Sequence, residues 1–209
     1  MRRAACLALA AALAACADGP PAEPSPAVDA PLGSAIAPPP DAEPAQATRP
    51  ETLRDTIQVE GTAEPVTLRL VTVEGVPLPF STYVRDGWEH DVLASGEGTA
   101  VMFTAGDGLV SVFVPAEAGA ESDVLPLAEA VAASRGDARP LAALPAWAAS
   151  GYAFASDTEA GRVLVGRHNE TWFQVLVAYS IESADGFAPG ADVVLDRLRW
   201  ADTGTGLSP

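Results

Sequence analysis

Glu89-His90-Asp91-Val92-Leu93-Ala94-Ser95, Thr99-Ala100-Val101-Met102-Phe103-Thr104 and Leu109-Val110-Ser111-Val112-Phe113-Val114 are three short runs separated by Gly96-Glu97-Gly98 and Gly106-Asp107-Gly108. Runs of this length, with β-branched and aromatic residues between glycine turns, predict antiparallel strands joined as hairpins, here in meander order. The pattern extends both ways. Upstream, Val66, Leu68 and Leu70 alternate with Thr67, Arg69 and Val71, the period of two of a half-buried strand at 66–73. A strand at 56–61 precedes it, and another at 80–84 follows the breakers Gly75, Pro77 and Pro79. Arg85-Asp86-Gly87 is a turn that delivers Trp88. Downstream, strands are expected at 152–156, 162–167 and 172–179, with turns at 157–161 and at His168-Asn169-Glu170.

Helical spacing comes only after Pro115. Asp123 can cap a helix in which Pro126 sits in the first turn, where no intrahelical amide bond is lost. Val124, Leu127 and Val131, with Ala128 and Ala132, form its apolar face, and Gly136 ends it. The stretch holding Pro140 and Pro145 reads as a loop. A last helix is expected to start near Pro189 and to bury Ala191, Val194, Leu195 and Leu198. Together these elements predict an α+β domain: an antiparallel β-sheet of about six to eight strands with two helices packed on it.

The expected organisation is a segment 1–15, a spacer 16–50, one domain 51–200 and a frayed tail 201–209. Between Ala17 and Pro50 lie ten of the nineteen prolines, spaced by Ala, Asp and Glu. Such a stretch has too little apolar surface to offset its ordering entropy and reads as a semi-rigid tether. At about 3.1 Å per residue it reaches at most on the order of 100 Å. The formal charge is −16, and all 12 basic residues are Arg. Residues 51–209 carry 9 Arg against 23 Asp and Glu, a net of −14. That surface repels phosphate backbones and anionic headgroups, so no nucleic-acid partner is expected.

The first sixteen residues carry a second signal. Arg2 and Arg3 precede an apolar run, 4–13, that is too short to span a bilayer, and Leu13-Ala14-Ala15-Cys16 closes it. This resembles the lipobox of bacterial lipoproteins. The resemblance implies that residues 1–15 are a signal peptide, that Cys16 takes a diacylglycerol and becomes the new, often acylated, N-terminus, and that lipid chains hold the protein at a membrane. Ala17, rather than Asp, follows Cys16, which in that family favours the outer membrane, facing the periplasm. With Cys6 in the removed segment and Cys16 lipidated, the mature domain would hold no thiol, disulfide or thiolate metal site.

The order of elements resembles a family too. Phe80-Ser81-Thr82-Tyr83-Val84, the turn to Gly87-Trp88, the meander ending in Val110-Ser111-Val112-Phe113-Val114, then a helix, hairpins and a last helix are similar to the PsbP-like domains of photosystem II extrinsic subunits and of many bacterial lipoproteins. The resemblance implies a non-catalytic docking or assembly module on a curved sheet, and it transfers no catalytic residue.

Reactive constellations are sparse. There is no Gly-x-Ser-x-Gly elbow, and a chain without Lys has no phosphate-binding Gly-x-x-x-x-Gly-Lys loop. His90 and His168 are the two histidines. His90, in Glu89-His90-Asp91, reads as a solvated residue at a strand start, with a base or ligand role as the alternative. His168 reads as a turn residue. Glu117, Glu121 and Asp123 lack the spacing of a dedicated calcium loop. No cofactor, metal or catalytic residue is expected. The remaining candidates for a recognition surface are aromatic, chiefly Trp88, Trp172 and Tyr83, because Trp and Tyr supply contact area at low rotamer cost. The resulting expectation is a lipid-anchored periplasmic protein whose domain binds a protein or envelope partner without catalysis. The alternatives are an envelope hydrolase using carboxylates, signalled by two close desolvated acids in a cleft, and a small-ligand carrier, signalled by a closed apolar pocket.

Overall fold

A computed structural model describes residues 48–116 and 121–207, with the side chains of 121–123 left aside. Cys16, the segment 1–15 and nearly all of the spacer lie outside the described residues, as do the acidic side chains of Glu117, Glu121 and Asp123.

The described residues form eleven strands and two α-helices: β1 (Thr52–Val59), β2 (Thr62–Val73), β3 (Phe80–Arg85), β4 (Glu89–Ser95), β5 (Gly98–Ala105), β6 (Gly108–Pro115), α1 (Glu121–Arg135), β7 (Asp137–Pro140), β8 (Ala148–Ala155), β9 (Glu159–His168), β10 (Thr171–Ser180), α2 (Ala184–Asp196) and β11 (Arg199–Trp200). The class is α+β, and every strand pairing is antiparallel. The strands make two sheets, not one: a small sheet in the order β1-β2-β3-β11 and a large one in the order β4-β5-β6-β10-β9-β8-β7.

The division falls at Arg85-Asp86-Gly87. Gly87 has φ +83° and the Trp88 N–H donates to the Arg85 carbonyl, so the predicted turn is there. It does not return the chain alongside β3; it carries it into the other sheet, where β4 pairs with β5. Turn chemistry specifies a change of direction, and pairing partners are chosen by burial that local sequence does not show.

Four further elements depart from expectation. Glu60 and Gly61, with φ +51° and +77°, make a two-residue turn of the kind that suits strand twist, so β1 and β2 are longer than the exposed, weakly patterned residues near it suggested. Asp137–Pro140, expected as a loop, is a short exposed edge strand, a place where proline is tolerated. α2 begins at Ala184, after a 3-10 turn whose Ser180 Oγ accepts the Ser183 N–H, so Pro189 lies within the helix and not at its start. Residues 201–207, expected to fray, fold back: the Trp200 N–H donates to Thr205, Gly206 bridges to Arg199, and Leu207 is buried.

One core unites the two sheets with α2. Val71, Phe80 and Val84 from the small sheet, Phe103, Val112, Phe173 and Val175 from the large one, and Phe187, Val194 and Leu198 from α2 and its end belong to one buried cluster. On the other face of the large sheet, Val124, Ala128 and Ala132 of α1 pack on Phe154, Val163, Val165 and Trp172. Strand alternation assigns these faces: along β10, Phe173, Val175 and Val177 go to the first cluster, Trp172, Leu176 and Ala178 to the second.

Candidate binding face

α1 does not cover its side of the large sheet. It packs over β7, β8, β9 and β10, while β4 is exposed along its whole length. The covered stripe of α1 is Val124, Ala128 and Ala132, narrower than its apolar face, and Leu127 is left 40% exposed. Between Leu127 and Val131 on the helix and Ala100, Phe113 and Leu176 on the sheet runs an apolar groove of about 470 Å³. At its floor sits Gln174, 4% exposed. Its Oε1 is buried and has no hydrogen-bond partner among the described residues. An acceptor in that state costs about 1–3 kcal/mol relative to one that is satisfied. Glu97 and Ser111 complete the lining.

The groove opens toward β4. All seven β4 residues are exposed, Val92 by 47% and Leu93 by 56%, and among the described residues the strand pairs on one side only, with β5. Leu93 lies opposite Ala100 and Asp91 opposite Met102, which places Asp91 and Leu93 on the groove side. His90 and Val92 lie opposite Phe103 and Val101, core residues of the other face.

The aromatic candidates are elsewhere. Trp88 is 7% exposed, stacked on Phe187 at 4.9 Å, and packed where a Cβ on Gly190 would meet its ring at 2.6 Å. Trp172 is 8% exposed in the cluster under α1, with the Arg167 guanidinium 5.7 Å above its ring. Tyr83 is 3% exposed; its hydroxyl donates to the Pro50 carbonyl at 2.8 Å and the Arg49 guanidinium lies 4.5 Å over its ring. Trp88 and Trp172 thus belong to clusters on opposite faces of one sheet, and no surface is formed by the three. Large rings beside turns at strand ends are drawn into the core because they bring more apolar area than any neighbour. The residues that do form an open face, Leu93, Phe113, Leu127 and Gln174, read as ordinary strand and helix positions. The sequence signal for them was the width of the α1 apolar face and the apolar pair Val92-Leu93 in a strand flanked by acids.

His90 is exposed, its ring 6.3 Å from that of Phe103. His168, at the end of β9, is buried: it stacks on Trp200 at 4.5 Å and its Nε2 lies 2.8 Å from Asp202 Oδ1. Asn169, with φ +52°, donates to the same carboxylate. Burial alone would raise the Asp202 carboxyl, but the hydrogen bond and charge of His168 outweigh it and hold the group below its ordinary value of 3.8. The result is a latch for the folded-back tail.

A second cavity, about 480 Å³, is lined by Arg49, Ser81, Arg199 and Trp200. Its arginines have structural partners. Arg49 donates to Ser81 and to the Arg197 carbonyl, and Arg199 to the Asp196 and Leu198 carbonyls, so both satisfy main-chain acceptors at the end of α2. On α2, desolvation and then the charge of Asp192 raise the Asp196 carboxyl. Asp192 is itself half exposed and paired with Arg162 at 2.6 Å. Among the described residues no three His, Cys, Asp or Glu side chains are grouped to hold a metal ion, and no helix is long and apolar enough to cross a membrane.

No family model and no curated protein sequence matches the chain. Two solved structures are similar to it. One is cyanobacterial PsbP from Synechocystis, with 17% identity over 64% of this chain and 92% of that one and a TM-score of 0.42. The other is LpqN of Mycobacterium tuberculosis, described as involved in cell envelope biogenesis, with 13% identity over 64% and 91% and a TM-score of 0.36.

Proposed function

We propose that the chain is a lipoprotein of the bacterial envelope, anchored through Cys16 at the outer membrane and facing the periplasm, whose α+β domain binds a protein or envelope partner without catalysis. The observation that carries the binding role is the open groove beside α1, an apolar surface that ends on an unpaired strand edge and has a buried, unpartnered acceptor at its floor. Contiguous exposed apolar surface with a convergent polar group is where partners bind. The anchor rests on Leu13-Ala14-Ala15-Cys16, and the proline-rich spacer would let the domain stand away from its membrane.

Two measurements test the parts separately. Cys16→Ser should move the protein from the membrane to the soluble fraction of the cells that make it, and membrane fractionation at unchanged gel mobility would overturn the anchor. A photocrosslinking residue at Leu127 should capture a discrete partner in intact cells, while the same residue at Asp157, in an exposed turn away from the groove, should not. Equal labelling from both positions would overturn the assignment of the face.

A further inference from the structure

Taking the open face as the binding surface, as just proposed, we infer that the partner binds as an extended segment adding an eighth strand to β4, and that this segment carries two adjacent apolar side chains, one for each face, flanked by basic residues. The two-residue turn Gly96-Glu97 makes Ser95 and Gly98 a hydrogen-bonded pair closing the β4–β5 hairpin. Hydrogen-bonding direction alternates along an antiparallel ladder, so Leu93 and Asp91 bond inward to β5, while His90, Val92 and Ala94 turn their N–H and C=O groups outward. Among the described residues no strand lies beside these outward groups.

β4 carries few of the devices that blunt a free edge. It has no proline and no basic residue, and its register with β5 is continuous over all seven residues. The opposite edge, β7, is four residues long, contains Arg139 and Pro140, and lies beside α1. A strand added to β4 would place alternate side chains next to Leu93 on the groove side and next to Val92 on the other, which selects apolar residues at those positions. Its remaining positions would meet Glu89, Asp91 and Glu97 on a chain of net charge −16, which selects Arg or Lys. The same charge disfavours a second copy of this chain as the occupant, since two acidic edges would be brought together.

The outward position of the Val92 amide provides a discriminating variant. Val92→Pro removes an N–H that the hairpin does not use, while Val92→Thr keeps it. The probe is the synthetic eight-residue peptide Arg-Thr-Arg-Val-Val-Arg-Thr-Arg, titrated by fluorescence anisotropy against the folded protein at two salt concentrations. The expected result is saturable binding that Val92→Thr leaves within about threefold and Val92→Pro weakens by at least tenfold, with hydrogen exchange showing new protection at His90, Val92 and Ala94. Equal affinity for the proline and threonine variants, or protection absent at those three amides, would mean electrostatic adhesion and would overturn strand addition. The exchange measurement uses the unmodified protein, so it decides the matter even if the proline variant is unstable. If strand addition fails while Leu127 still crosslinks in cells, the binding face stands and only the mode of recognition is wrong.

Discussion

The two faces of the large sheet are built from the same strands and finished differently. One is closed by the small sheet, α2 and the folded tail, and its residues interdigitate: Phe80 meets Trp200 edge-on at 6.0 Å, and Phe173 meets Trp200 at 5.1 Å. The other is closed by α1 over one half and open along β4. Adjacent residues of β10 express the contrast, because Phe173 points into the sealed core and Gln174 into the groove with an orphaned carbonyl. The sealed face supplies the stability that lets the open face retain groups that cost free energy.

Removing the ring on the sealed side should have the largest effect. Phe173→Ala is expected to destabilise the domain by about 3–5 kcal/mol, because a filled site becomes a cavity that its neighbours cannot close. Urea denaturation checks it, and a loss below about 1 kcal/mol would mean that the core is looser than the packing implies. One position along, the sign should reverse. Gln174→Met keeps the volume and removes the unsatisfied acceptor, so stability should rise by roughly 1 kcal/mol. A fall in the thermal midpoint would mean that Gln174 is satisfied in solution and the groove is not poised for a donor.

The tail that helps close the sealed face has a pH signature. Asp202 is depressed in the folded state, so its contribution is fully present above the ordinary carboxylate value of 3.8 and is lost as pH falls through the lower folded value. The wild type should therefore exceed Asp202→Asn while the carboxylate is ionised, by less than about 1 kcal/mol because it is half exposed, and the two curves should converge in acid. A margin that widened as pH fell below the ordinary carboxylate value of 3.8 would contradict the latch. The smallest effect belongs to the open face. Leu93→Ser should change stability by no more than about 0.5 kcal/mol, since the side chain already faces water. A larger loss would show that β4 is covered by something in the folded chain.

The elements were legible where one face of each was buried. Val110, Val112 and Val114 alternate with Leu109, Ser111 and Phe113 because a core lies on one side, and β6 occupies the predicted positions. β7 was not legible, since an edge strand exposed on both faces has no alternation to read. The exchange of sheets at Gly87 left no local mark, because the same glycine turn serves a hairpin or a corner. For the site, aromatic content misdirected the reading: Trp88, Trp172 and Tyr83 are core-forming for the reason that made them attractive, their apolar area. The groove is a shortfall of cover, which depends on where α1 ends relative to β5, and that distance is not written in either segment. The pairing of His168 with Asp202 was hidden in the same way, since it joins a turn to a tail with no pattern of its own.

Arg49 has a mechanical meaning. Its guanidinium ties the start of the described chain to Ser81 and to the end of α2, just before β1. A pull arriving along the preceding residues would reach these three hydrogen bonds first and pass into the small sheet. β4 and the groove belong to the large sheet, so tension would be taken up without peeling the strand that offers its edge. Load would fall on one sheet while the open face of the other kept its shape.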